Sequence, residues 1–239
     1  MLAEGKNPVF EALRSGVTVE KIMVLDKTTD AEIREAIAEA KEKNIRVEFV
    51  KKEVLDRISK TKHHQGIIAY TTEYQYHDLD EVLDELKKIG ERKLFILLDG
   101  VEDPHNLGSV IRTAECLGFS AVIIPARRSA LVNETVLRTS AGATNFMKIV
   151  KVNNLANAIN KLKEENIFVY SADMDGKDIS KVNLSGDVAI IVGGEGSGVS
   201  ALSRKLSDDI ISIEMHGNVN SLNASVSAGI CMYEVMKRK

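Results

Sequence analysis

Three short segments of this 239-residue chain concentrate glycine, asparagine, serine and isolated charges where an apolar run gives out. The first, Leu98 to Gly118 (LDGVEDPHNLGSVIRTAECLG), places Asp103-Pro104 at a forced turn, then Asn106, which can cap the helix that follows, then Arg112 six residues on. A capped helix with a surface arginine is the bland reading. Arg112, however, stands between Ile111 and Thr113 in a small and apolar stretch, which favours a positioned cation over a solvated one. The second, Ile191 to Gly198 (IVGGEGSG), sets Glu195 among four glycines, a backbone that a ligand can approach closely. In the third, Ile211 to Ser225 (ISIEMHGNVNSLNAS), Ser221, Asn223 and Ser225 gather at the start of a final helix. Asn220 or Ser221 as its cap explains one residue and leaves the cluster. One acid, one arginine and several amides and hydroxyls on glycine-rich loops equip a ligand site. In open α/β sheets such sites lie beyond the carboxyl ends of the strands.

Other chemistries fit poorly. A P-loop needs a Gly-Lys-Ser/Thr ending, absent here. Gly196, Gly198 and Ala201 match GxGxxG/A with Glu214 near the distance of a ribose-binding acid, but a dinucleotide fingerprint opens its domain and only 41 residues follow Gly198. There is no GxSxG elbow. His63 and His64 are adjacent, so their side chains diverge, and no third ligand lies nearby; no metal is expected. Cys116 and Cys231 form no CxxC pair and suit a reducing cytosol, with Cys116 read as a core residue.

The elements that must position these loops alternate along the chain. Lys21–Leu25, Ile45–Val50 and Gly66–Thr71 read as strands. Between the first two, a helix spans about Asp30 to Lys43, with Asp30 as its cap and Ile33, Ala36, Ile37 and Ala40 on one face. Apolar runs at Leu94–Leu98, Ala121–Ile124, Ile167–Ser171 and Val188–Val192 read as strands buried on both faces of a parallel sheet. Helices over Leu107–Leu117 and Leu155–Glu165 separate them, and a last helix from about Ser221 to Lys237 carries Leu222, Val226, Ile230 and Tyr233 on one side. The fold class is α/β, with residues 1–75 as a small domain, 76–92 as a linker and first helix, and 93–239 as the second domain.

At 44% hydrophobic and 28% charged residues the composition is globular, and a net charge of −3 excludes a binder that works by blanketing nucleic acid with positive charge. The N-terminus lacks the apolar core of a signal peptide and no run reaches the length of a membrane span, so a cytoplasmic protein with no membrane partner is expected.

Together the three segments resemble the signature motifs of the SpoU (TrmH-like) class of the SPOUT superfamily, RNA ribose 2′-O-methyltransferases. The pattern DPxNxGxxxRTA is carried by Asp103, Pro104, Asn106, Gly108, Arg112, Thr113 and Ala114; the second motif by Gly193, Gly194, Glu195, Gly196 and Gly198; the third by Ser221, Leu222, Asn223 and Ser225. Arg138 to Ala143 (RTSAGA) is similar to the class's small-residue loop before a strand. GKNPVFEAL at 5–13 and HQGIIA at 64–69 resemble the L30e-like substrate-binding domain of the branch that methylates large-subunit ribosomal RNA. Within that branch the RlmB-type enzymes act on a guanosine of 23S rRNA.

The resemblance implies a second domain with a deep trefoil knot and a mainly parallel sheet, binding S-adenosylmethionine in a bent form. It implies an obligate homodimer with the last helix in the interface and a site completed by the partner subunit. It assigns catalysis to Asn106, Arg112, Glu195, Ser221 and Asn223, and cofactor binding to Gly193, Gly194, Ile213 and Leu222, with Ser140 and Gly142 of the small-residue loop. Glu214 stands where related sequences often have proline. The alternatives are a tRNA ribose methyltransferase or another ribosomal target and, in a different class, a non-catalytic RNA-binding assembly factor.

The charge is unevenly spread. Residues 1–75 carry 13 basic and 13 acidic side chains, yet Lys51 to Lys62 holds five bases against two acids, beside His63 and His64. A second run, Arg127 to Lys151, sets Arg127, Arg128, Arg138, Lys148 and Lys151 against Glu134 alone. These are the expected RNA patches, with modest salt dependence.

Overall fold

The structure is a computed structural model that describes residues 2–14, 19–71, 74–218 and 221–238. The chain divides into two compact units, Met1–Gln75 and Tyr76–Lys239.

In the first unit the elements are β1 (Leu2–Glu4), α1 (Lys6–Arg14), β2 (Val19–Leu25), α2 (Ala31–Glu42), β3 (Arg46–Val50), α3 (Lys52–Ile58) and β4 (Ile67–Thr71). The sheet runs β1-β4-β2-β3, with β2 and β3 parallel and the other pairings antiparallel. Asp30 caps α2, accepting from the N–H groups of Glu32 and Ile33, and Ile33, Ala36 and Ala40 turn into the core. The sequence reading missed β1, α1 and α3 because each is too short to show a period; Pro8 is tolerated in α1 because it sits in the first turn.

Glu4, at the end of β1, ties down the segment after α3. Its carboxylate accepts from the Ser59 hydroxyl at 2.7 Å, the N–H groups of Lys60 and Thr61 at 2.8 and 3.0 Å, and the Thr61 hydroxyl. Burial works to raise its pKa, but the bonds from Thr61, Ser59 and Lys60 prevail and hold it down, from an ordinary 4.5 to about 2. With the folded value below the unfolded one, Glu4 stabilises the protein above pH 4.5, and this is lost as pH falls toward 2. The gap in thermal midpoint between wild type and Glu4→Gln should be constant near neutrality, shrink below pH 4.5 and close near pH 2. A gap that persists undiminished at pH 2 would refute this account.

The second unit contains α4 (Leu79–Ile89), β5 (Leu94–Asp99), α5 (Pro104–Cys116), β6 (Ala121–Pro125), α6 (Glu134–Thr139), β7 (Lys148–Val152), α7 (Leu155–Glu164), β8 (Phe168–Asp178), β9 (Val188–Gly193), α8 (Ala201–Leu206), β10 (Asp209–Ser212) and α9 (Ala224–Lys237). Its six strands run β10-β8-β9-β5-β6-β7, all parallel. Three of the four runs that read as doubly buried strands are so: Phe95 to Leu98, Val122 to Ile124 and Val188 to Ile191 are buried, whereas in the fourth Phe168 is exposed beside buried Ile167, Val169 and Tyr170. β8 outlasts its apolar run, and its polar end pairs with β10 across a register shift between Ile210 and Ile211. Because neighbouring strands are parallel, their carboxyl ends share one edge of the sheet, and all three motif loops leave from it.

Two helix starts differ from expectation. Asp103, not Asn106, caps α5, accepting from the His105 N–H with Pro104 at the first helical position. α9 begins at Ala224 with Asn223 as its cap, so Ser221 lies ahead of the helix; Asn220 falls outside the described residues. The face of α9 also differs. Ala224, Ala228, Cys231, Met232 and Val235 are buried, whereas Leu222, Val226 and Tyr233 are exposed. Small residues, Ala224 and Ala228, face inward in its first turns, where α9 packs on α5; a Cβ on Gly229 would make ordinary contact with the Thr113 methyl at 3.7 Å. The far end of α9 is fastened by Arg92, whose guanidinium donates to the carbonyls of Val235 and Arg238 and to those of Leu184 and Gly186.

Candidate active site

β5 and β9 are neighbours with Asp99 opposite Gly193, which sets the first and second motif loops side by side. They touch backbone to backbone. Gly194 donates to the Asp99 carbonyl at 2.9 Å, and a Cβ there would lie 1.9 Å from the Gly100 oxygen. A Cβ on Gly193 would lie 2.0 Å from the Gly198 carbonyl carbon. The second loop needs these glycines to fold against itself and its neighbour, where the sequence had pointed to space for a ligand.

Three side chains meet at this junction, one from each motif. Asn106, buried in the first turn of α5, donates to Glu195 Oε1 at 3.0 Å. Asn223 donates to the same oxygen at 2.7 Å and to Asn106 Oδ1 at 2.9 Å. Its own Oδ1 accepts from the N–H groups of Ser225 and Val226, so the residue that caps α9 also fixes the carboxylate. Glu195 is exposed, and its Oε2 has no hydrogen bond among the described residues.

The carboxylate opens onto a cavity of about 620 Å³ whose lining includes Gly193, Gly194, Glu195, Ile213, Leu222, Ser221 and Asn223. Its size is that of a small-molecule site. Among the described residues, Asp173 and Glu195 are the only charged side chains on its wall. The sequence reading missed Ala172, Asp173 and Met174, which come from the polar end of β8; that stretch gives no strand signal. Asp173 is held by Arg204 at 3.1 Å.

Not every expected residue lies here. Ser140 is fully buried and donates its hydroxyl to the Leu137 carbonyl, while Gly142, at φ 89°, opens the turn that follows α6. Both build the connection to β7 and neither lines the cavity. Arg112 is exposed, also outside the lining, and has no hydrogen bond or ion pair among the described residues. Six residues from Asn106 is about 240° around the helix, so the two point in different directions. Cys116, one turn beyond Arg112, is exposed too, contrary to its reading as core. Cys231 is buried, and burial, with the charge of Glu234 added, pushes its thiol up to about 12. Among the described residues no cluster of His, Cys, Asp and Glu could hold a metal ion, and no helix is long and apolar enough to cross a membrane.

The junction makes a direct prediction. Asn223→Asp keeps the cap, since aspartate caps as well as asparagine, but replaces a donor with an acceptor facing Glu195. Two carboxylates so close cannot both ionise freely. The variant should lose thermal stability at pH 8 and recover most of it at pH 5, where the pair can share a proton. Equal melting of variant and wild type at both pH values would count against the junction.

These features define a class: a parallel α/β domain whose carboxyl-edge loops close on an acid beside a small-molecule cavity, joined to a separate mixed α/β unit. Residues 93–233 match the SpoU rRNA Methylase family, and residues 2–77 match a domain described as RNA 2′-O ribose methyltransferase substrate binding. The chain belongs to the SpoU rRNA methylase family, the TrmH class of RNA 2′-O-ribose methyltransferases. It is 38% identical over 236 residues to a putative TrmH family tRNA/rRNA methyltransferase of Staphylococcus saprophyticus, covering 98% of this chain and 94% of the relative. Among solved structures, the SpoU methyltransferase AviRb of Streptomyces viridochromogenes, in complex with AdoMet, aligns with a TM-score of 0.67 at 23% identity, over 99% of this chain and 89% of the other. The TrmH/SpoU tRNA modifying enzyme of A. aeolicus aligns with a TM-score of 0.56 at 26% identity, over 67% of this chain and 83% of the other. The dinucleotide reading of Gly196, Gly198 and Ala201 falls away with this assignment.

Proposed function

We propose that the chain transfers a methyl group from S-adenosylmethionine to a ribose 2′-hydroxyl of RNA, with a guanosine of 23S rRNA as the target. The observation that carries this is the meeting of Asn106, Glu195 and Asn223 at the wall of the cavity. The cavity fits the cofactor: apolar side chains of Ile213 and Leu222 and the backbone of Gly193 and Gly194 suit a base and a thioether chain, and the lining charges, both negative, suit a cationic ligand. When bound, the cofactor supplies a methyl group on a sulfonium, open to attack by oxygen.

The chain's own residues must make the 2′-hydroxyl a nucleophile and hold it in line. Positioning alone contributes several kcal/mol, on the order of the effective-molarity gains of oriented reactions. Glu195 accepts the hydroxyl proton or orients the group that does, with Asn106 and Asn223 fixing its Oε1. A guanidinium does not deprotonate at working pH, so Arg112 stabilises the developing alkoxide and grips a neighbouring phosphate. The Asn223 amide is occupied by Asn106 and Glu195, which leaves the Ser221 hydroxyl for the substrate ribose.

Arg112 and α9 favour a homodimer. α9 is apolar on two sides, and its outer residues Val226 and Tyr233 remain half exposed. Arg112, outside the lining of its own chain's cavity, serves that of the partner subunit. The reading carries with it the trefoil knot that the resemblance implies and a cytoplasmic location. Ribosomal RNA is favoured over tRNA because the substrate-binding unit is present, whereas the A. aeolicus tRNA modifying enzyme leaves a third of this chain unmatched.

The test is incubation with radiolabelled S-adenosylmethionine and protein-free ribosomal RNA or tRNA from a strain lacking the enzyme, followed by mapping of the 2′-O-methyl site. Label at one 23S guanosine is expected. Label only in tRNA would move the target, and no label in any natural RNA would favour a binding factor.

A further inference from the structure

The two basic runs of the sequence fare differently in the structure. In the second, Lys148 pairs with Glu85 at 2.6 Å and Lys151 lies 4.2 Å over the Tyr76 ring, leaving Arg127 and Arg128 as exposed cations without an ion pair among the described residues. In the first, Lys51, Lys52, Arg57, Lys60, Lys62 and His63 are all exposed, and none has an ion pair among the described residues. Elsewhere in the same unit, Lys6, Arg14, Lys21, Lys43 and Arg46 are engaged by acids. The other free cations there, Lys27, Arg34 and Lys41, each adjoin an acid in sequence, as do Lys52 and Arg57 of the run itself, whereas Lys60, Lys62 and His63 do not, since residues 57–72 contain no acid at all.

The segment that carries Lys60, Lys62 and His63 is also held in shape. Glu4 binds it at Ser59, Lys60 and Thr61. The Ser59 hydroxyl in turn accepts from the Lys62 N–H at 2.8 Å. At its far end, buried His64 contacts Asp56 of α3 through Nε2 at 2.8 Å and accepts from the Gly66 N–H through Nδ1 at 3.0 Å. Gln65 Oε1 accepts from the Lys6 N–H at 3.1 Å. Lys62 and Gln65 sit in the left-handed region, at φ 58° and 49°, which side chains other than glycine adopt at a cost. The backbone bonds are thus turned inward, and the cationic tips are exposed with no ion pair among the described residues.

We propose that the Ser59–Gln65 loop is the surface through which the first unit grips the phosphate backbone of the RNA substrate, and that Glu4 is its positioning residue. The inference rests on the proposed function and names where the substrate is held. Lysines on a preset loop present their charges to a phosphate chain without the ordering entropy that a mobile loop would lose on binding.

The experiment measures binding of the full-length protein to in vitro transcribed 23S rRNA by filter retention over a salt series. It uses wild type, the double variant Lys60→Ala/Lys62→Ala, and Glu4→Gln, with S-adenosylmethionine binding followed by calorimetry. The double variant should bind roughly tenfold more weakly at moderate salt and lose about 1.5 from the slope of log affinity against log salt, at about 0.7 to 0.9 per phosphate contact. Its cofactor affinity should match wild type. Glu4→Gln gives the sharper reading. It removes a negative charge beside the loop, so charge alone would tighten RNA binding, whereas a positioning role requires that it weaken. Tighter or equal binding by Glu4→Gln would overturn the positioning role, and an unchanged affinity and slope in the double variant would overturn the surface itself. If wild type binds and methylates RNA while these results hold, only this inference fails; if wild type neither binds nor methylates, the functional reading fails with it.

Discussion

Arg112→Ala should lose at least about a hundredfold in methyl transfer while binding S-adenosylmethionine as wild type does, the loss being of the order seen when one group that stabilises a developing oxyanion is removed. Arg112 is exposed and has no hydrogen bond or ion pair among the described residues, so its removal breaks nothing that holds the fold, and the thermal midpoint should move by no more than about 1 °C. It is also absent from the lining of the cavity, so calorimetry with the cofactor should give an unchanged affinity. A loss confined to kcat, with the cofactor still bound, separates a group that meets the reacting hydroxyl from one that merely supports the site. Arg112→Lys keeps the charge but loses the planar fork, and should recover little if the side chain grips phosphate and alkoxide together. The same residue tests the dimer. Mixing Arg112→Ala with Asn223→Asp subunits should restore part of the activity if Arg112 serves the partner's cavity, because one of the two composite sites is then intact. Full activity in Arg112→Ala would sink the assignment, and failure of the mixture to recover would return Arg112 to its own subunit.

The strands and the three loops were legible because long-range order leaves a local mark. Four apolar runs with no alternation read as strands, and the structure makes them β5, β6, β8 and β9 of one parallel sheet, with Phe168 of β8 the residue that stays exposed. What was illegible depended on choices between near-equal local options. Asp103 and Asn106 can each cap a helix, and only Pro104 at the first turn together with the pull of Glu195 on Asn106 decides between them. α9 offers a bulky apolar side and a small one. Periodicity cannot rank them, and the close approach of α5 selects Ala224 and Ala228 for the interior. Asp173 escaped because it lies in the polar stretch of β8 that the register shift leaves without a partner on β10, between Ser171 and Lys177, where no strand pattern is imposed. Ser140 and Gly142 differ from the motif residues in another way: they build the turn after α6 and lie outside the cavity lining.

The largest structural effect is expected from Gly194→Ala. The substitution adds one methyl group, but its carbon would lie 1.9 Å from the Gly100 oxygen and 2.7 Å from the Gly100 carbonyl carbon, both backbone atoms with no rotamer to yield. The strand cannot slide to relieve the clash, since the Gly194 N–H is bonded to the Asp99 carbonyl and its own carbonyl accepts from Gly198. The second loop must therefore part from the first, and the distance between them is what brings Asn106 to Glu195. Overpacking of this kind costs about 1–3 kcal/mol, which for a chain of this length lowers the thermal midpoint by roughly 3–10 °C. Because the same movement opens the cavity wall, cofactor binding should weaken by more than tenfold in the fraction that remains folded. Gly193→Val should behave alike, by striking the Gly198 backbone before reaching any ligand space. The pair of signatures distinguishes scaffold from chemistry: Arg112→Ala keeps stability and cofactor and loses transfer, whereas Gly194→Ala loses all three together. A Gly194→Ala protein that melts with wild type and binds the cofactor unchanged would show that the two loops need not touch for the site to form.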